Sequence, residues 1–137
     1  MKVSVLFENP KLDINVETMA RTCNFYGVDF YVKSLCKVGF KKSAGVLKHI
    51  PLKQLNVEDW KGRIIVTDSG YSKQPQEFYF QDGDLIVFGN ESTGVSKETF
   101  EMSFDRIGIK SRGIVPCLNV SAACASIIGI ILSNQPI

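Results

Sequence analysis

Leu85-Ile86-Val87-Phe88-Gly89-Asn90-Glu91-Ser92-Thr93-Gly94-Val95-Ser96 decides the fold. Its first four residues are apolar without alternation, the pattern of a strand covered on both faces. Gly89 stops the run. A polar turn around one acid follows, and Ser96 is placed to cap a helix reaching about Met102. An α/β fold puts its ligand site at such a strand-to-helix junction.

The rest of the chain repeats this alternation. Val3–Phe7 reads as a first strand broken by Glu8-Asn9-Pro10. Asp13 or Asn15 can cap a helix over about Val16–Tyr26, which Gly27 ends. Asp29–Leu35 is a second strand, Lys41–His49 a short helix stopped by Pro51, and Val57–Lys61 a helical turn. Arg63–Thr67 is a compact strand followed by the turn Asp68-Ser69-Gly70. Glu77–Phe80 reads as a short strand, Asp82-Gly83 as a turn, and Ile107–Ile109 as extended. Asn119–Leu132 is the last helix. The expected fold is one α/β domain over residues 1–137, with a mainly parallel sheet flanked by helices.

That last helix carries Val120, Ala123, Ala125, Ile127, Ile128, Ile130, Ile131 and Leu132 and almost no polar face. A helix apolar all round is buried on all sides. A homodimer is therefore expected, with burial by the chain's own helices as the alternative. The apolar run falls short of the ~20 residues that span a bilayer. With no signal-peptide pattern at Met1–Phe7, a cytoplasmic protein without membrane contact is expected.

The net charge of +2 excludes little. Its distribution says more: no acid falls between Asp29 and Glu58, whereas Lys33, Lys37, Lys41, Lys42, Lys48 and Lys53 do. Such a basic field attracts phosphates, and a solvated lysine face is the plain alternative. Cys23, Cys36, Cys117 and Cys124 form no C-x-x-C pair, and His49 is the single histidine. Neither a metal site nor a disulfide framework is expected. Cys23, Cys117 and Cys124 have apolar or small neighbours, which predicts mostly buried, reduced thiols. Neither nucleotide-binding glycine fingerprint is present.

Three polar clusters remain, and together they carry a resemblance. Asn15-Val16-Glu17-Thr18-Met19-Ala20-Arg21-Thr22 is similar to the first motif of the SpoU branch of the SPOUT RNA methyltransferases. Phe88–Ser96, with its Gly-x-Glu-x-x-Gly core, resembles the second motif, and Cys117-Leu118-Asn119-Val120-Ser121-Ala122-Ala123 the third. Ser43-Ala44-Gly45 and Ile50-Pro51 also resemble a segment of that branch. Gln81-Asp82-Gly83-Asp84 is similar to small tRNA wobble-position enzymes.

The resemblance implies a C-terminal deep trefoil knot, a rare exception to unthreaded chains, and a homodimer. It implies an S-adenosylmethionine-dependent RNA 2′-O-ribose methyltransferase, with tRNA favoured over rRNA. Thr67, Gly89, Ile109, Cys117 and Leu118 match positions that hold the cofactor. Arg21, Asn15, Glu91 and Asn119 match the catalytic set. Arg21, Lys41, Lys42 and Lys48 are the candidate RNA contacts; no metal is implied. Taken without the resemblance, Gly89 and Gly94 read as turn glycines, Ile109 and Leu118 as core, and Asn15 and Asn119 as helix caps. Three positions depart from the family pattern: Glu17 for the usual Gly, Lys110-Ser111 after Ile109 for Pro-Met, and Cys117 for Ser. They keep open a catalytically silent relative that binds RNA or cofactor.

Overall fold

A computed structural model describes residues 1–34, 50–70 and 73–134 of the 137. Six strands, β1 (Ser4–Glu8), β2 (Asp29–Lys33), β3 (Lys53–Gln54), β4 (Ile64–Thr67), β5 (Leu85–Phe88) and β6 (Asp105–Ile107), form one sheet in the order β3-β2-β1-β5-β4-β6. Every pairing between these six strands is parallel. The helices are α1 (Asp13–Phe25), α2 (Lys97–Met102) and α3 (Val120–Ser133).

Side chains alternate across the strands and divide the core in two. Val5, Phe7, Ile86 and Phe88 face one layer, where they meet Val16, Met19 and Cys23 of α1 and Cys124, Ile127 and Ile131 of α3. Leu6, Leu85 and Val87 face the other, against Val57, Val95 and the half-buried Phe100 of α2. Each such fully buried side chain contributes about 2 kcal/mol by transfer from water. The two covered faces explain the unbroken apolar runs of β1 and β5.

The β1 and β5 strands are neighbours, Ser4 opposite Leu85 and Phe7 opposite Phe88. The chain leaves β1 for β2 on one side and β5 for β6 on the other. The crevice beyond their carboxyl ends is therefore the topological switch point of the sheet. At the opposite end of β5 the carboxylate of Asp84, fully buried, takes two hydrogen bonds from the Arg63 guanidinium at 2.8 and 2.7 Å. That partner raises the arginine pKa further. The Gln81–Asp84 segment is thus a structural clasp away from the crevice.

Several expectations need correction. The α1 helix begins at Asp13, and its N-cap is Leu12, with no side-chain cap of its own; neither Asp13 nor Asn15 is the cap. Residues Glu77–Phe80 make no strand: a single 3-10 turn, Pro75–Glu77, precedes an irregular segment. The last strand lies at Asp105–Ile107 rather than Ile107–Ile109. Cys23 and Cys124 are buried free thiols, but Cys117 is exposed, because it stands on the open loop before α3. The helix expected at Lys41–His49, Cys36, and Lys41, Lys42 and Lys48 lie outside the described residues. Burial of α3 is one-sided: Cys124, Ile127, Ile128 and Ile131 are buried, while Ala125, Ser126, Gly129 and Ile130 are half-buried. No helix among the described residues is long and apolar enough to cross a membrane.

Candidate active site

A Cβ on Gly89 would sit 2.0 Å from both the Gly94 carbonyl carbon and the Val95 nitrogen. The turn after β5 folds back onto the strand end, and only glycine permits that approach. Asn90 and Gly94 close it with reciprocal backbone hydrogen bonds of 3.1 and 2.8 Å, Gly94 taking a φ of +75°. The Asn90 side chain organises the interior. Its Oδ1 accepts from the Ser92 N–H at 2.7 Å, and its Nδ2 donates to the Asn9 carbonyl at 2.6 Å.

Glu91 leaves this turn toward α1. Its carboxylate accepts from the backbone N–H groups of Lys11 at 2.8 Å and Leu12 at 2.9 Å, and from Asn15 Nδ2 at 2.9 Å. The missing cap of α1 is therefore supplied from the turn after β5, at the positive end of the helix dipole. Burial pushes the Glu91 pKa up, but the bonds from Asn15, Lys11 and Leu12 outweigh it and hold the pKa below the ordinary glutamate value. The Oδ1 of Asn15 accepts from Asn119 Nδ2 at 3.3 Å. Asn119 in turn caps α3, accepting from the Ser121 and Ala122 N–H groups. One polar chain, Glu91–Asn15–Asn119, joins three distant parts of the sequence.

Beside this chain opens a cavity of about 620 Å³. Thr67, Gly89, Ile109, Cys117 and Leu118 all line it, as do Glu91 and Asn119. Asn15 is buried behind Glu91 and does not line it. Arg21 does not either: it is exposed on α1 and has no partner among the described residues. Asp68 and Phe88 also line the cavity, and they were missed as site residues. Their signal was position alone, at the carboxyl ends of β4 and β5. Among the described residues no cluster of His, Cys, Asp or Glu is arranged to hold a metal ion.

The lining suits a nucleoside-bearing ligand. Ile109, Leu118 and Ile127 offer an apolar wall for a flat base, and Asp68, Thr67 and Asn119 offer acceptors and donors for hydroxyl groups. Asp68 and Glu91 line the cavity with carboxylates that are already engaged. Asp68 accepts from the Gly70 N–H at 3.2 Å and pairs with Arg106 at 3.9 Å, and Glu91 accepts from Lys11, Leu12 and Asn15.

Comparison with known proteins agrees with the architecture. A family model described as the SpoU rRNA Methylase family matches residues 2–129. A search of curated proteins found no match. Among solved structures, one described as giving insight into 2-OH methylation of C/U34 on tRNA superimposes with a TM-score of 0.83 at 20% identity. It covers 96% of this chain and 89% of that one. The TrmH/SpoU tRNA modifying enzyme of A. aeolicus gives 0.81 at 23% identity, covering 96% and 74%. The SpoU methyltransferase AviRb of Streptomyces viridochromogenes gives 0.77 at 19%, and this chain, 96% covered, spans 59% of it. At such identities the likeness establishes the fold.

Proposed function

Because this chain belongs to the SpoU rRNA methylase family, we propose that it is an S-adenosylmethionine-dependent methyltransferase of RNA ribose 2′-hydroxyls, with tRNA as substrate. The observation that carries the reading is the Glu91–Asn15–Asn119 hydrogen-bond chain beside the cavity at the switch point. Support for the cofactor comes from AviRb, whose structure in complex with AdoMet superimposes with a TM-score of 0.80 at 21% identity. The tRNA reading leans on the structure concerned with C/U34 of tRNA.

When bound, S-adenosylmethionine supplies a methyl group on a positively charged sulfur. Thr67, Gly89, Ile109, Cys117 and Leu118 hold it, with Asp68 as a further hydroxyl partner. Glu91 fixes Asn15 and the start of α1, and Asn119 stands beside them at the cavity rim. Arg21 grips an RNA phosphate and stabilises negative charge on the ribose oxygen, since a guanidinium stays protonated and is a poor base. Lys41, Lys42 and Lys48 add phosphate contacts. A second copy completes the molecule, covering the half-buried face of α3 and its exposed neighbour Phe25. The chain after β6 is threaded as in a trefoil knot, and the protein works in the cytoplasm.

The test is transfer of labelled methyl to bulk tRNA and to ribosomal RNA, with the modified nucleotide mapped. Ribose methylation of tRNA is expected from the unaltered chain and its loss from Arg21→Ala. Methylation of ribosomal RNA alone would overturn the substrate, and full activity of Arg21→Ala would overturn the role of that residue.

A further inference from the structure

We propose that Glu8 is a positioning residue for the Gly89–Val95 turn, acting through the start of α2. Glu8 ends β1 and is completely buried. Its Oε1 accepts from the Ser96 N–H at 2.7 Å, and its Oε2 from the Thr99 hydroxyl. Ser96 is the N-cap of α2, and its own Oγ accepts from the Thr99 N–H at 3.3 Å. Both oxygens of a carboxylate from a neighbouring strand are therefore committed to the first turn of α2.

The geometry has a counterpart. Glu91, from the turn after β5, serves the start of α1. Glu8, from the end of β1, serves the start of α2. Each of the two central strands sends a carboxylate to the helix that follows the other. A six-residue helix has little stability of its own, so α2 cannot by itself fix the turn before it. Glu8 supplies the anchor at Ser96, and the preceding residue, the buried Val95, carries it to the backbone that lies against Gly89. Glu8 lines no part of the cavity. Its influence on a ligand runs through the turn that does.

The inference rests on the reading of the cavity as the S-adenosylmethionine site. It is tested by calorimetric titration of S-adenosylmethionine into the unaltered chain, Glu8→Ala, Glu8→Gln and Thr99→Ala, with circular dichroism confirming folding. Misplacement of the turn in Glu8→Ala is expected to weaken cofactor affinity about tenfold or more, and Glu8→Gln, which keeps shape and one acceptor, to restore it to within about threefold. Thr99→Ala, which leaves the Ser96 contact, falls between. In the transfer assay KM for the cofactor rises while KM for RNA holds. Unchanged cofactor affinity in folded Glu8→Ala and Thr99→Ala would overturn the proposal while leaving the cofactor reading intact. Failure of the unaltered chain to bind would overturn both.

Discussion

At Glu91 burial and hydrogen bonding act in opposite directions, and the bonds win. A folded-state pKa below the unfolded one contributes stability that is complete above the unfolded value and is lost as pH falls through the folded one. Glu91→Gln should therefore be less stable than the unaltered chain near neutrality. The gap should narrow once pH drops below the ordinary glutamate value of about 4.5. Urea midpoints at about pH 7 and about pH 3 measure it; a gap that does not narrow on acidification would refute the assignment. The residue-level partners of Glu91 were not legible in the sequence. It stands 79 positions from Leu12, whose N–H it binds, and no local pattern announces a cap from that distance. The same distance explains why the start of α1 was misplaced toward Asn15.

Among the elements, the local ones were read best. The β5 strand and α2 fall where Leu85–Phe88 and Ser96 put them, because a buried apolar run and a serine cap are complete within a few residues. The Glu77–Phe80 segment misled for a physical reason. Its alternation is real, Tyr79 being 92% exposed and Phe78 and Phe80 packed against the core. Among the described residues no strand pairs with it, so alternation did not become a ladder. The role of Gly89 was legible only in part: glycine is required there by the returning backbone of Gly94 and Val95, a contact made inside the protein. Gly89→Ala should cost at least about 2 kcal/mol through overpacking and weaken cofactor binding. An unchanged denaturation midpoint would show that the turn yields freely.

For the whole molecule, apolar surface and charge set the expectations. Phe25 is 81% exposed, and Tyr26 beside it 41%, at the end of α1 that adjoins α3 near Gly129. On the dimer reading, sedimentation should give about twice the 15.2 kDa chain mass, and Phe25→Arg should shift it toward the monomer; a monomeric unaltered chain would remove the dimer. RNA affinity should fall steeply with salt, and neutralising Lys41 and Lys42 should weaken it without touching cofactor affinity. A flat salt response would leave the basic segment without that role. The fold class was legible because alternating strands and helices admit few arrangements. Strand order was not, since β1 meets the distant β5 on one side as well as β2 on the other.

The span of the Asn15–Asn119 contact, 104 residues, has a consequence for biosynthesis. A chain emerging from the ribosome can assemble β1, α1 and β2 early, for those contacts are local. It has no completed pocket until the segment bearing Asn119 has been translated and has found α1. Closure over such a separation is slow relative to helix formation. Binding competence therefore arrives late in maturation. A product released before residue 119 would lack both the Asn119 contact and α3, whose Cys124, Ile127 and Ile131 cover one face of the sheet, and would be inert.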